Sequence, residues 1–248
     1  VALLREEYSA AHIRDCVQRF RDAPGTGWPS WSFSNHDVPR VRTRWGGSGA
    51  TDAQAKMLLA LVTSLWGTAF VYQGEELGLP QAEVPWERMR DPAGLATYPE
   101  DPGRDGCRTP FPWDAQATHG GFSAVEPWLP VSPEHLPRAV SAQAGDPRSV
   151  LGFFRCFLAW RRGQPALARG DVAFLDAPEP ILAFRRGAGP GRLLAVFNLG
   201  PRPLTWPLPP GARPAPLEGH GLAGSLAGTE IRLPAWGACF AGDPEGAR

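Results

Sequence analysis

The chain has 248 residues, 25 basic against 25 acidic side chains for a formal charge of zero, and 29 Gly with 28 Pro. Those two punctuating residues reach close to twice their ordinary share, yet 43% of the chain is apolar and it carries 10 Trp and 12 Phe. A disordered Gly/Pro-rich tail lacks such aromatics, and a collagen-like chain shows Gly at every third position, so both are excluded.

Balanced charge favours neither nucleic acid nor an anionic membrane as a partner. Lys56 is the only lysine, and the arginines are scattered rather than gathered into a patch. No run reaches the ~18 apolar residues that a membrane-spanning helix needs. Cys16, Cys107, Cys156 and Cys239 lie far apart without metal-ligand spacing, and they are expected to be reduced thiols in a cytoplasmic protein. The chain begins at Val1 rather than at an initiator Met, which leads to the expectation of a piece of something longer.

In chain order, residues 9–22 predict an amphipathic helix with Ser9 as N-cap and Ile13, Cys16, Val17 and Phe20 on one face. A short strand is expected over 31–34, closing on Asn35-His36-Asp37. A second helix is expected from Thr51, as N-cap, to Leu65. The apolar run 67–72 fits a strand buried on both faces, and it closes on Gln73-Gly74-Glu75-Glu76. Helices alternating with strands that end on polar residues form the pattern of a (β/α) barrel. A doubly wound sheet gives the same order, but it usually carries a Gly-rich phosphate loop, and neither G-x-G-x-x-G nor G-x-x-x-x-G-K is present.

Residues 77–145 are rich in Pro and Gly with little periodicity, and read as a folded excursion over an active site. A helix is expected at 147–162, with Asp146 as cap, Pro147 at its first position, Val150, Phe153, Phe154, Phe157 and Leu158 inward, and Gly163 as its stop. After Gly170, short β-type runs at 172–175, 181–185, 193–198, 204–206, 230–233 and 236–240 predict a small antiparallel domain. The tail from residue 241 is expected to fray.

Alone, Asn35-His36-Asp37 is equally well a surface turn; its neighbours give it weight. Phe33-Ser34-Asn35-His36-Asp37-Val38-Pro39-Arg40 resembles the fourth conserved region of the α-amylase superfamily of glycoside hydrolases. Gly67-x-Ala69-x4-Gly74-x-Glu76 resembles its region at the eighth barrel strand, with Ala69 where the superfamily usually has Pro. Gly103-Arg104-Asp105-Gly106-Cys107-Arg108-Thr109-Pro110 is similar to the lid motif of the α-glucosidase and oligo-1,6-glucosidase branch, and Gln73-Gly74-Glu75-Glu76-Leu77-Gly78-Leu79-Pro80 points the same way.

The resemblance implies an α/β fold: the C-terminal part of a (β/α)8 TIM barrel (strands 6–8 and their helices) over 1–165, with the lid excursion at 77–145. A small antiparallel β domain at 166–240 and a tail at 241–248 complete it. Residues 1–4 would end strand six. The implied activity is that of a retaining, exo-acting α-glucosidase that releases terminal α-linked glucose from maltose-, isomaltose- or sucrose-like substrates. Its nucleophile Asp and acid Glu stand at the ends of strands four and five, upstream of Val1, so the chain alone is expected to be inactive.

By the same resemblance, Asp37 is the carboxylate that stabilises the transition state, and His36 and Arg108 bind the sugar. Arg40 and Arg104 stand either near substrate or in structural ion pairs; Arg40 is assigned to the substrate, and Arg104, with Glu76, to the supporting structure. No cofactor or metal is implied. An α-glucosyl transferase or a sucrose or trehalose isomerase carries the same motifs, and a non-catalytic sugar-binding scaffold is the alternative outside enzymes. Trp86, Tyr98, Phe111 and Trp113 are expected to pack beneath the excursion more than to stack on sugar.

Overall fold

The computed structural model describes residues 2–25, 27–208, 212 and 214–243. The chain divides into two compact units, one of residues 1–31, 56–70 and 154–248, the other of 32–55 and 71–153. The helices are α1 (Ala10–Asp22), α2 (Val41–Gly46), α3 (Asp52–Ser64), α4 (Pro92–Thr97), α5 (Val140–Gln143), α6 (Val150–Arg162) and α7 (Pro165–Arg169). The strands are β1 (Ser30–Ser32), β2 (Thr68–Phe70), β3 (Val172–Phe174), β4 (Ile181–Arg186), β5 (Leu193–Asn198), β6 (Leu204–Pro207), β7 (Ala215–Pro216), β8 (Ser225–Ala227), β9 (Glu230–Leu233) and β10 (Ala238–Gly242). The division between units falls inside β1, α3 and α6.

In the first unit α1 starts where the sequence predicts, with the Ser9 hydroxyl accepting from His12 N–H at 3.0 Å. A second cap comes from far along the chain: the Glu179 carboxylate accepts from Ala10 N–H at 3.0 Å and Ala11 N–H at 2.7 Å. Both acceptors sit where a helix leaves its first N–H groups unpaired and its dipole favours negative charge.

The five-stranded antiparallel sheet β3-β4-β5-β10-β7 supplies the core of this unit. Ile181, Ala183, Leu194, Val196 and Cys239 face Trp206, Ile231 and Leu233 of the sheet β6-β9-β8. The alternate residues point the other way. Phe184 stacks on Phe197 at 5.8 Å, and Phe240 meets Phe157 at 5.8 Å and Trp160 at 4.9 Å on α6. Apolar contact on both faces explains why β4 and β5 read as continuous apolar runs rather than alternating ones. It also places the second half of α6 with the β strands, so the boundary expected at 165/166 is not the boundary between the compact units.

Several expectations need correction. Residues 2–4 form a turn and bend rather than the end of a strand, and Val1 lies outside the described residues. β2 is shorter than the 67–72 strand expected and is not buried on both faces: Phe70 is 59% exposed. Among the described residues β1 is its one strand neighbour. Helix α6 begins at Val150 rather than 147, because Asp146 closes a turn onto Arg148 N–H and Ser149 takes over the cap, accepting from Gly152 N–H at 3.0 Å. Ala241 and Gly242 belong to β10, and Asp243 is buried with Arg185 at 2.6 Å, so the chain is ordered there; residues 244–248 lie outside the described residues.

The second unit lacks long strands and is held by turns. Its apolar centre joins Leu77, Leu79 and Leu151, with Phe111 and Val140 against them. Phe33 and Trp45 pack at 5.0 Å, which seats the short helix α2 that periodicity did not predict. Beside this centre Glu75 is buried, accepting from Tyr72 N–H at 3.3 Å and from Ser34. Desolvation raises its pKa from 4.5 to about 7, against the weaker pull of those hydrogen bonds.

Two predictions follow from this packing. Phe240→Ala removes a ring that four aromatic neighbours touch, and it lowers the unfolding free energy by about 3–5 kcal/mol, read from the urea midpoint. Glu75 binds its proton more tightly folded than unfolded, so its contribution is full below pH 4.5 and is lost as pH rises towards 7. Relative to Glu75→Gln, the native chain loses up to about 3 kcal/mol of stability across that window, measured by denaturant melts at each pH. Parallel curves for the two proteins would refute this.

Candidate active site

The polar loop that follows β1 is fixed before it carries any chemistry. The Ser34 hydroxyl accepts from Val41 N–H at 2.8 Å, and Arg44 donates to the carbonyls of Phe33 and Pro39. Inside this clamp Asn35 Oδ1 accepts from Asp37 N–H at 2.8 Å, a side-chain turn that lifts the Asp37 carboxylate to the surface, where it is 47% exposed.

Two guanidinium groups converge on one oxygen of that carboxylate. Arg104 Nη1 lies 3.2 Å and Arg108 Nη2 3.3 Å from Asp37 Oδ1. Arg108 also donates from Nε to the His36 carbonyl at 2.8 Å. His36 Nε2 stands 3.4 Å from the other oxygen, Oδ2, with its ring largely exposed. The structure therefore brings together His36, Asp37, Arg104 and Arg108. Both guanidinium groups take Oδ1 and the imidazole stands by Oδ2, an arrangement suited to accepting hydroxyl hydrogen bonds at Oδ2.

Arg40 departs from its expected place at the substrate. It is 1% exposed, donating from Nη1 to the Gln73 carbonyl at 2.6 Å and from Nη2 to the Cys107 carbonyl at 3.1 Å. Its guanidinium lies 5.6 Å from the Tyr72 ring centroid, and Tyr72 Oη donates to the same Cys107 carbonyl at 3.1 Å. Burial lowers the Arg40 pKa. The side chain turned inward because unpaired carbonyls of two neighbouring loops needed a donor. Gly74 permits this approach: its φ is +93°, and a Cβ there would lie 2.6 Å from Arg40 Nη1.

Glu76 accepts from Gly74 N–H at 2.7 Å and so braces the turn after β2. Arg104 does more than brace, since it touches Asp37 directly. Its other nitrogens meet Asp91, a residue that the sequence reading did not single out. Nε and Nη2 each donate to that carboxylate at 2.8 Å. The Arg104 guanidinium holds the Asp91 carboxyl well below the usual carboxylate range. The one sequence signal at Asp91 is Asp-Pro at a helix start, and Asp91 indeed caps α4, accepting from Ala93 N–H at 3.3 Å.

The aromatic side chains of the excursion divide. Phe111 packs against the leucine centre and lies 4.7 Å from the Trp113 ring, whereas Trp86, Tyr98 and Trp113 are about half exposed rather than packed beneath the loop. His135 is buried, pairing with the Pro80 carbonyl at 2.9 Å, and desolvation lowers its pKa to about 4. It is a neutral structural imidazole at neutral pH. All four cysteines are free thiols, Cys156 exposed and the others buried. Among the described residues no cluster of His, Cys, Asp and Glu has the arrangement of a metal site, and no helix is long and apolar enough to cross a membrane.

Residues 6–170 match the alpha-amylase family, in the catalytic domain. A probable alpha-glucosidase of Rhizobium meliloti is 44% identical over 241 residues, covering 96% of this chain and 43% of that protein. The oligo-1,6-glucosidase of Parageobacillus thermoglucosidasius is 30% identical over 223 residues, covering 82% and 40%. Among solved structures, the alpha-glucosyl transfer enzyme XgtA superposes with a TM-score of 0.92 at 46% identity, over 97% of this chain and 45% of that one. The trehalulose synthase MutB from Pseudomonas mesoacidophila MX-45 gives 0.81 at 25% identity, over 96% and 47%. The chain spans under half the length of these relatives. Its fold is accordingly part of a (β/α)8 barrel followed by an antiparallel β domain, and the chain belongs to the alpha-amylase family of glycoside hydrolases.

Proposed function

We propose that the protein acts on α-linked glucosides as a retaining, exo-acting α-glucosidase, and that this chain supplies the carboxylate that grips the sugar as its ring flattens. The observation that carries this reading is the Asp37 carboxylate, held through Oδ1 by Arg104 and Arg108 with Oδ2 open beside His36. A carboxylate already fixed by cations accepts sugar hydroxyls without reorganising. Its attraction grows as positive charge develops at the reacting carbon, so it lowers the barrier rather than merely tightening binding.

A retaining mechanism requires a nucleophilic carboxylate and a carboxylic acid about 5–5.5 Å apart. This reading places both on the fourth and fifth barrel strands, outside the 248 residues. The nucleophile forms a glucosyl ester as the acid protonates the leaving oxygen, and water then releases glucose. The neutral net charge suits an uncharged substrate. The substrate is a soluble small molecule of the maltose, isomaltose or sucrose type.

A second reading has its own support in the likeness to the alpha-glucosyl transfer enzyme. There the same glucosyl ester is opened by a sugar hydroxyl instead of water. Incubating the full-length protein with maltose and with sucrose separates the two: free glucose as the dominant product supports hydrolysis, and new oligosaccharides or sucrose isomers support transfer.

On p-nitrophenyl α-glucoside, Asp37→Asn in the full-length protein is expected to lower kcat about 10²-fold or more. Unchanged kcat would remove Asp37 from the mechanism. The 248-residue chain alone is expected to give no turnover; activity that Asp37→Ala abolishes would show that the nucleophile lies within it.

A further inference from the structure

Arg104 is a flexible, partly exposed side chain, and left to itself it would hold no fixed place near Asp37. What removes that freedom is Asp91, whose side chain is fully buried. Its Oδ2 accepts from both the backbone N–H and Nε of Arg104 at 2.8 Å, and its Oδ1 accepts from Nη2 at 2.8 Å. This two-pronged fork leaves Nη1 as the nitrogen aimed at Asp37 Oδ1.

The surrounding chain is built around the Asp91 carboxylate. Gly103 has φ +69°, and a Cβ there would lie 2.8 Å from Asp91 Oδ2, so the backbone closes on the acid as only glycine allows. Beneath it the buried Asp105 carboxylate accepts from Arg90 N–H and from Asp91 N–H at 2.8 Å, fixing the main chain from which Asp91 projects. A surface ion pair of the ordinary kind has none of this support.

We propose that Asp91 is a positioning residue for the sugar-gripping carboxylate: it locks the Arg104 fork so that Nη1 anchors Asp37 Oδ1 and Oδ2 stays free for the ligand. Asp91 touches no substrate itself. The kinetic side of the proposal rests on the α-glucoside reading above, and the anchoring side does not.

The test is a double-mutant cycle on the full-length protein. Asp91→Asn lowers kcat on p-nitrophenyl α-glucoside by about tenfold or more, with a smaller change in KM. In an Arg104→Met background the same substitution changes kcat by less than about twofold, because the route to Asp37 is already cut. Equal losses in both backgrounds, or lowered stability with unchanged kcat, overturn the proposal.

A second readout needs no turnover. The rate of phenylglyoxal modification at Arg104, followed by mass spectrometry, rises about threefold or more in Asp91→Asn as the held side chain opens. An unchanged rate overturns the anchoring. Faster labelling in a protein whose native form turns over no α-glucoside upholds the anchoring and rejects the functional reading instead. Should Asp91→Asn fail to fold, Arg104→Lys decides: it keeps the charge without the fork, and native-like kcat in that variant overturns the proposal.

Discussion

The candidate site depends on one buried cation. Arg40 joins the loop after β1, the turn after β2 and the Arg104–Arg108 turn by donating to main-chain carbonyls of Gln73 and Cys107. Its own N–H donates to Gln81 Oε1 at 2.9 Å, which ties in the start of the excursion as well. Desolvating a guanidinium is costly, and the two Nη groups offset that by pairing with carbonyls that would otherwise be unpaired, whereas Nε is buried without a hydrogen-bond partner. Every distance quoted around Asp37 presupposes that these segments are held together.

Above this floor the electrostatics are arranged in layers of decreasing burial. Arg40 is enclosed, Asp91 is enclosed, Arg108 is one-fifth exposed, and Asp37 and His36 open to solvent. Charge alternates outward from Asp91 through Arg104 to Asp37. An alternating series of this kind holds its outermost carboxylate in place, because two guanidinium groups share a single oxygen and leave the other beside the His36 imidazole.

Much of this was legible in the sequence, and the parts that were not share a physical reason. Helix α1 with its Ser9 cap follows from local periodicity, and β4 and β5 from short β-type runs bounded by turns. Asn35, His36 and Asp37 stand out because a short-range motif sets their turn. The inward turn of Arg40 is not legible, because an arginine beside a polar loop carries no local sign of its direction, and only carbonyls more than thirty positions away decide it. Asp91 was missed for the same reason: its partner Arg104 lies 13 positions on, across irregular chain with no period to read. The short α2 has no sign in the sequence because its Val-Arg-Thr-Arg-Trp-Gly run has no apolar stripe, and packing of Trp45 on Phe33 forms it.

The Glu179 cap on α1 has a consequence for the order in which the protein is made. Helix and carboxylate are separated by 169 positions, so on a ribosome α1 emerges long before the acid that completes its N-terminus. Until then Ser9 is the helix's local cap, and a helix of 13 residues has little stability of its own. Helix α1 is therefore finished only after β3 has been made, which gives nascent chains a long interval in which α1 depends on transient partners.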